Sequence, residues 1–142
     1  MGPNDLLIKI GAAGFCHTDY QVHEGVYKSP LPLIPSHEPV GTIVAIGPQA
    51  AKSGKWKVGQ HVGALGFQHQ CHECLMCKTF DDIKYCEKKE MKGLVNDGAM
   101  GEYMVSDPES TLLLPEGLEF EQAAPLMCAG VSLDCPKATI LH

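Results

Sequence analysis

The sequence predicts a mostly β fold with short helices, arranged as a small barrel or sandwich in one unit. Three observations lead there. The apolar stretches are short and several alternate; 15 glycines and 10 prolines punctuate the whole chain; and one segment reads as a helix, with a proline inside it. LLIKI (6–10) opens the series, bounded by Asn4 and Gly11. VGTIVAIG (40–47) alternates more clearly, which puts Val40, Thr42, Val44 and Ile46 on one face ahead of a turn at Gly47 and Pro48. HVGALG (61–66), EYMVS (102–106) and TLLLP (111–115), the last stopped by Pro115, read as further short strands. EFEQAAPLMCAG (119–130) is the helix. Its acidic start suits the positive end of a helix dipole, and Pro125 should kink or break it. No repeat, low-complexity segment or linker interrupts the chain.

A chain of 142 residues holds one modest core. The formal charge of −6 argues against nucleic acid or an anionic membrane as partner. All 11 basic residues are lysines, so no guanidinium fork is present for phosphate recognition. No apolar run approaches the ~20 residues of a membrane span. MGPNDLLIKIG lacks the basic start and apolar core of a signal peptide. The expected location is therefore cytoplasmic. Seven cysteines without a secretory signal point to metal before disulfides.

Four of them stand in CHECLMCKTFDDIKYC, at Cys71, Cys74, Cys77 and Cys86, in the pattern C-x2-C-x2-C-x8-C. Four thiolates complete the tetrahedral shell of a zinc ion, and x2 spacings let a tight loop turn two sulfurs onto one ion. Such a site has no open position, so its role is structural. A disulfide pair, free core thiols or a redox C-x-x-C pair are the alternatives, and the third and fourth cysteines fit a redox pair poorly.

Cys16, Cys128 and Cys135 remain, with His37 in IPSHEPVG. Taken alone, Cys16 and Cys128 read as core thiols before ligands, and His37 reads as a surface histidine as often as not. Two thiolates, an imidazole and a water would make the open set of a catalytic zinc, but no spacing requires these residues to converge.

GFCHTDYQ (14–21), PLIPSHEPVGTIVAIG (32–47), the four-cysteine lobe, DGAMGEYMV (97–105) and LPEGLEFEQAAPLMCAGVS (114–132) resemble zinc-dependent alcohol dehydrogenases of the medium-chain dehydrogenase/reductase superfamily. They come in that family's order, and the likeness runs from about residue 5 to residue 132. It implies a GroES-like, partly open β-barrel with a zinc-binding lobe at 71–86, and two zinc ions per chain. Carried over, Cys16, His37 and Cys128 match the catalytic zinc ligands, and Cys71, Cys74, Cys77 and Cys86 the structural ones. Thr18 matches the hydroxyl that passes the alcohol proton outward, Asp19 a carboxylate that orients the histidine ligand, and Glu38 a glutamate near the zinc. His17 matches a position that contacts the cofactor pyrophosphate. The implied reaction oxidises a primary or secondary alcohol to an aldehyde or ketone, with hydride passing from the carbinol carbon to NAD or NADP. The implied partner is thus a small-molecule alcohol or aldehyde, and a full-length form would be a homo-oligomer.

Four departures from that pattern set further expectations. Ser36 stands where glycine usually precedes the histidine ligand, at a place where a positive φ would strain a serine. The last cysteine gap, eight residues, is one longer than is common. Gln21 holds the position of a proton-relay histidine, and an amide cannot carry the proton; His23 nearby reads as a surface or pocket-lining residue. Finally, no G-x-G-x-x-G Rossmann fingerprint follows the third ligand. The expected organisation is a catalytic domain at 1–132 and a divergent tail, LDCPKATILH (133–142), in which Cys135 is a free thiol. On this expectation the Rossmann domain is absent, and a first strand or two is missing before Met1. A truncated, non-catalytic zinc-binding domain is therefore the alternative reading. Retention of the cysteine and histidine ligands disfavours a zinc-free quinone reductase, and Cys128 in place of a glutamate disfavours a polyol dehydrogenase.

Overall fold

The alternating stretches become strands that wrap around two apolar clusters. In the computed structural model, which describes residues 1–130, β1 (Leu6–Ala13), β2 (Pro39–Ile46), β3 (His61–Ala64), β6 (Tyr103–Ser106) and β7 (Thr111–Leu113) form one antiparallel sheet. Its order is β6–β1–β2–β3–β7. β4 (Phe67–Gln68) and β5 (Glu90–Met91) form a separate two-stranded ladder beside the cysteine lobe. The two edge strands of the large sheet follow one another in sequence, and Ser106 Oγ lies 2.8 Å from Thr111 Oγ1 across the turn between them. No ladder joins β6 to β7. The sheet therefore curls until its edges meet at one end, which makes a partly open barrel.

Leu6, Ile8, Ile43 and Val62 are fully buried inside the curl with Trp56, Ala64, Ala99 and Met104. Each such aliphatic side chain contributes about 1.5–3 kcal/mol by leaving water. A second cluster, Val40, Ala123, Ala124 and Met127, packs on the other side of β2. The alternation expected for 40–47 fails here. Ile43 is buried and Thr42, Val44 and Ile46 are only partly so. The cause is a bulge: Leu7 pairs Ala45 and Ile8 pairs Ile43, so Val44 has no opposite residue and the alternation resets. A second irregularity, at Gly11 between Ile10 and Ala12, turns Ala12 and Val40 to the second cluster.

Three short helices were only partly legible. α1 (His17–His23) and α2 (Leu75–Phe80) carry little apolar periodicity; each is started by a cysteine N-cap, Cys16 and Cys74. α3 (Phe120–Ala123) begins the segment read as a helix, and the chain tightens into a 3-10 turn, Ala124–Met127, at Pro125. That is the break the proline predicted. No helix among the described residues is long and apolar enough to cross a membrane. The expected tail at 133–142, with Cys135 and the end of the 1–132 unit, lies outside the described residues.

Candidate metal centres

The lobe builds its centre from consecutive turns. Cys74 caps α2, Cys77 sits in its first turn, and Asp81 ends it in the left-handed region at φ 47. A 3-10 turn, Ile83–Tyr85, then delivers Cys86, so the long last gap is taken up by ordered backbone. The four sulfurs lie within 4.8 Å of one another, with Cys71 Sγ and Cys77 Sγ 3.8 Å apart. A tetrahedral ion with bonds of about 2.3 Å sets its sulfurs about 3.8 Å apart, so the donor set fits zinc. Backbone N–H groups already favour thiolates. Cys71 N donates to Cys86 Sγ, Cys74 N to Cys71 Sγ and Cys77 N to Cys74 Sγ, each at 3.4 Å. The backbone N–H groups of Glu87 and Cys77 draw the Cys74 thiol down to about 6. Cys86 is also lowered, chiefly by the Cys71 N–H. Burial and the neighbouring sulfurs push Cys77 up to about 12. Four thiols placed so closely cannot all ionise without a cation among them. None of the six described cysteines is in a disulfide.

The second centre draws on three distant parts of the chain. Cys16 comes from the β1–α1 junction, His37 and Glu38 from the approach to β2, and Cys128 from the end of the 3-10 turn after α3. Cys16 Sγ lies 3.2 Å from His37 Nε2. The donor atoms of Cys16, His37, Glu38 and Cys128 all lie within 4.8 Å of one another. The three residues matched to catalytic ligands therefore converge, and Glu38 joins them as a fourth donor. Burial raises Glu38, and Asp19 adds to the rise against the pull of His37. Burial and the negative neighbours Cys16 and Glu38 raise Cys128 to about 11. The donor set again calls for a cation, and soft sulfurs with an imidazole suit zinc.

Asp19 supports this centre in a way the sequence did not suggest. It is buried, and its carboxylate accepts hydrogen bonds from Cys16 N at 3.0 Å and Ser36 N at 2.8 Å. Its Oδ1 stays 3.9 Å from His37 Nδ1, which has no hydrogen-bond partner. Asp19 thus fixes the backbones that carry the donors, and its bond to Cys16 N completes the capping box of α1. Thr18 N donates to Cys16 Sγ at 3.3 Å, which holds the half-buried Thr18 beside the sulfur. His17 is exposed at the start of α1, its ring 6.0 Å from that of Tyr20. Gln21 accepts a hydrogen bond from Tyr27 Oη at 2.9 Å, and His23 is exposed, as expected. Ser36 has the positive φ, 75°, that was expected to strain it.

The alcohol dehydrogenase GroES-like domain model matches residues 2–116. The chain belongs to this family. A probable cinnamyl alcohol dehydrogenase 1 of Nicotiana tabacum is 38% identical to this GroES-like domain over 95% of the chain. A probable cinnamyl alcohol dehydrogenase of Zea mays is also 38% identical over 95% of it. The chain spans 39% of the tobacco protein's length and 38% of the maize protein's. A cinnamyl alcohol dehydrogenase structure from Sorghum bicolor superposes with a TM-score of 0.83 at 30% identity, covering 98% of this chain and 41% of that one. The crystal structure of CAD from Helicobacter pylori complexed with NADP(H) superposes with a TM-score of 0.83 at 29% identity, covering 95% of this chain and 41% of that one.

Proposed function

We propose that this GroES-like domain is the zinc-binding catalytic part of an alcohol dehydrogenase that oxidises a primary or secondary alcohol to the aldehyde or ketone and passes hydride to NAD(P). One observation carries the reading: Cys16, His37 and Cys128, over a hundred residues apart in sequence at the extremes, bring their donor atoms within 4.8 Å together with Glu38. Cys16, His37 and Cys128 would hold a zinc ion, which would supply the Lewis acidity that lowers the pKa of an alcohol oxygen. Thr18, whose backbone N–H donates to Cys16 Sγ, is assigned to hydrogen-bond the alcohol and pass its proton outward. Gln21 cannot ionise, so the proton leaves through water or the cofactor ribose. Asp19 holds the backbones of Cys16 and Ser36 in place, and the exposed His17 is assigned to the cofactor pyrophosphate. The four-cysteine lobe takes the second, structural zinc. The relatives' names favour an aryl allylic alcohol of the cinnamyl type, and the NADP(H)-bound bacterial relative favours NADP. Both thiolate centres need a reducing compartment, which fits the cytoplasm.

Glu38, a fourth donor within 4.8 Å of those of Cys16, His37 and Cys128, favours one second reading, a zinc-binding domain that does not turn over alcohol. Zinc analysis and an assay of alcohol-dependent NADP+ reduction on the purified chain separate the two. Two zinc ions are the expected result, and alcohol-dependent reduction of NADP+ by these residues alone defeats the second reading. Fewer than two ions defeats the assignment of the centres.

A further inference from the structure

Ser36 is completely buried and sits in the left-handed region at φ 75°, a conformation that non-glycine residues rarely hold without support. Here every polar group of the residue is engaged. Ser36 Oγ donates to Gly14 O at 2.7 Å and accepts from Glu38 N at 3.3 Å. Its N–H donates to Asp19 Oδ1 at 2.8 Å, and its carbonyl accepts from Ala99 N at 2.9 Å. Gly14 N in turn donates to Glu38 O at 3.1 Å. The hydroxyl therefore fastens the strand end that leads into Cys16 to the segment that carries His37 and Glu38. Because Ser36 directly precedes the histidine, its φ sets the direction in which both donors leave the backbone.

We propose that Ser36 is a positioning residue for the second metal centre, its hydroxyl tying the strand end before Cys16 to the segment that carries His37 and Glu38. This rests on the reading that Cys16, His37 and Cys128 hold a metal. The consequence concerns metal affinity and not only folding, since the hydroxyl ties together two of the three segments that supply donors.

The test titrates cobalt(II) into the metal-stripped, reduced 142-residue chain and into Ser36→Ala and Ser36→Gly. Thiolate-to-cobalt and d–d bands distinguish a four-thiolate site from one with two thiolates. The lobe thereby serves as an internal control for folding in every variant. The native chain is expected to fill both sites. Ser36→Ala, strained and without the hydroxyl, and Ser36→Gly, unstrained and without it, should each bind the second cobalt roughly ten- to a hundredfold more weakly, with lobe bands unchanged. If Ser36→Ala does not fold, Ser36→Gly decides. Native affinity and native bands in Ser36→Gly would overturn the proposal, because the backbone angle alone would then suffice. A native chain that fills only the lobe would overturn it together with the metal reading on which it rests, and intact native binding with unaffected variants overturns it alone.

Discussion

Gly14 shows how little room the second centre leaves. A Cβ built there would lie 1.8 Å from Glu38 Oε2 and 2.9 Å from Glu38 Cβ. The constraint is space, since its φ is not left-handed. Gly14→Ala should therefore push the Glu38 carboxylate out of the donor set while leaving the sheet folded, at a stability cost of about 1 kcal/mol. Cobalt bands of this centre should change and those of the lobe should not; a native spectrum would contradict the placement of Glu38. At this scale the donors themselves were legible, because Cys71, Cys74, Cys77 and Cys86 have ligand spacing and Cys16, His37 and Cys128 match a family pattern. Of their supports, Asp19 was named from the same pattern, but the way it acts was not readable. Asp19 works through two backbone N–H groups, and Gly98 is needed because a Cβ there would come 2.0 Å from Ser36 O. Such close approaches are tertiary and leave no periodic mark in sequence.

Among the elements, β2 separates what alternation can and cannot give. The strand's existence and approximate ends were readable from 40–47, and β3, β6 and β7 likewise fall within their expected stretches. The face of β2 was not, since one unpaired residue at Val44 reverses the period. The structure makes a prediction opposite to strict alternation. Ile43→Ala, at a fully buried position, should cost about 2–5 kcal/mol. Val44→Ala should cost less than about 1 kcal/mol, in line with its partial exposure. Urea unfolding of the two variants decides the matter; equal losses, or a larger loss at Val44, would refute the bulge. The helix before Cys128 was read correctly for a physical reason. Pro125 lacks an N–H, so α3 cannot continue, and the tighter turn that replaces it carries Cys128 to the other donors.

For the whole molecule the question is what joins the cysteine lobe to the barrel. Asp107, in the turn between the two edge strands, accepts from the N–H groups of His69, Glu109 and Ser110. His69 Nε2 then lies 3.2 Å from Asp5 Oδ1, beside the start of β1, and its Nδ1 lies 3.3 Å from Glu90 Oε2 on β5. Glu90 also pairs at 2.7 Å with Lys92, which is nearly buried. None of this was visible in sequence, because the partners lie up to 64 residues apart and are ordinary polar residues. Burial opposes ionisation of both carboxylates, yet each ends below its ordinary range. The Gly2 N–H and His69 prevail at Asp5, and Lys92 and His69 at Glu90. A lowered folded pKa means stability that is present above the ordinary values of 3.8 and 4.5 and is lost as pH falls through the folded ones. Glu90→Gln removes the charge facing Lys92 and should cost about 1–3 kcal/mol at neutral pH, the penalty of a poorly satisfied buried charge. That difference from the native chain should shrink as pH falls through the lowered folded pKa of Glu90, where Glu90 is itself protonated and resembles the amide. Urea midpoints of the two proteins across this range measure it. Comparing them pairwise cancels the loss of thiolate-bound metal that acid also causes. A gap that stays constant through the whole acid limb, while the native chain's own stability falls, would mean that Glu90 acts through packing, and that its charge does not tie the lobe to the barrel.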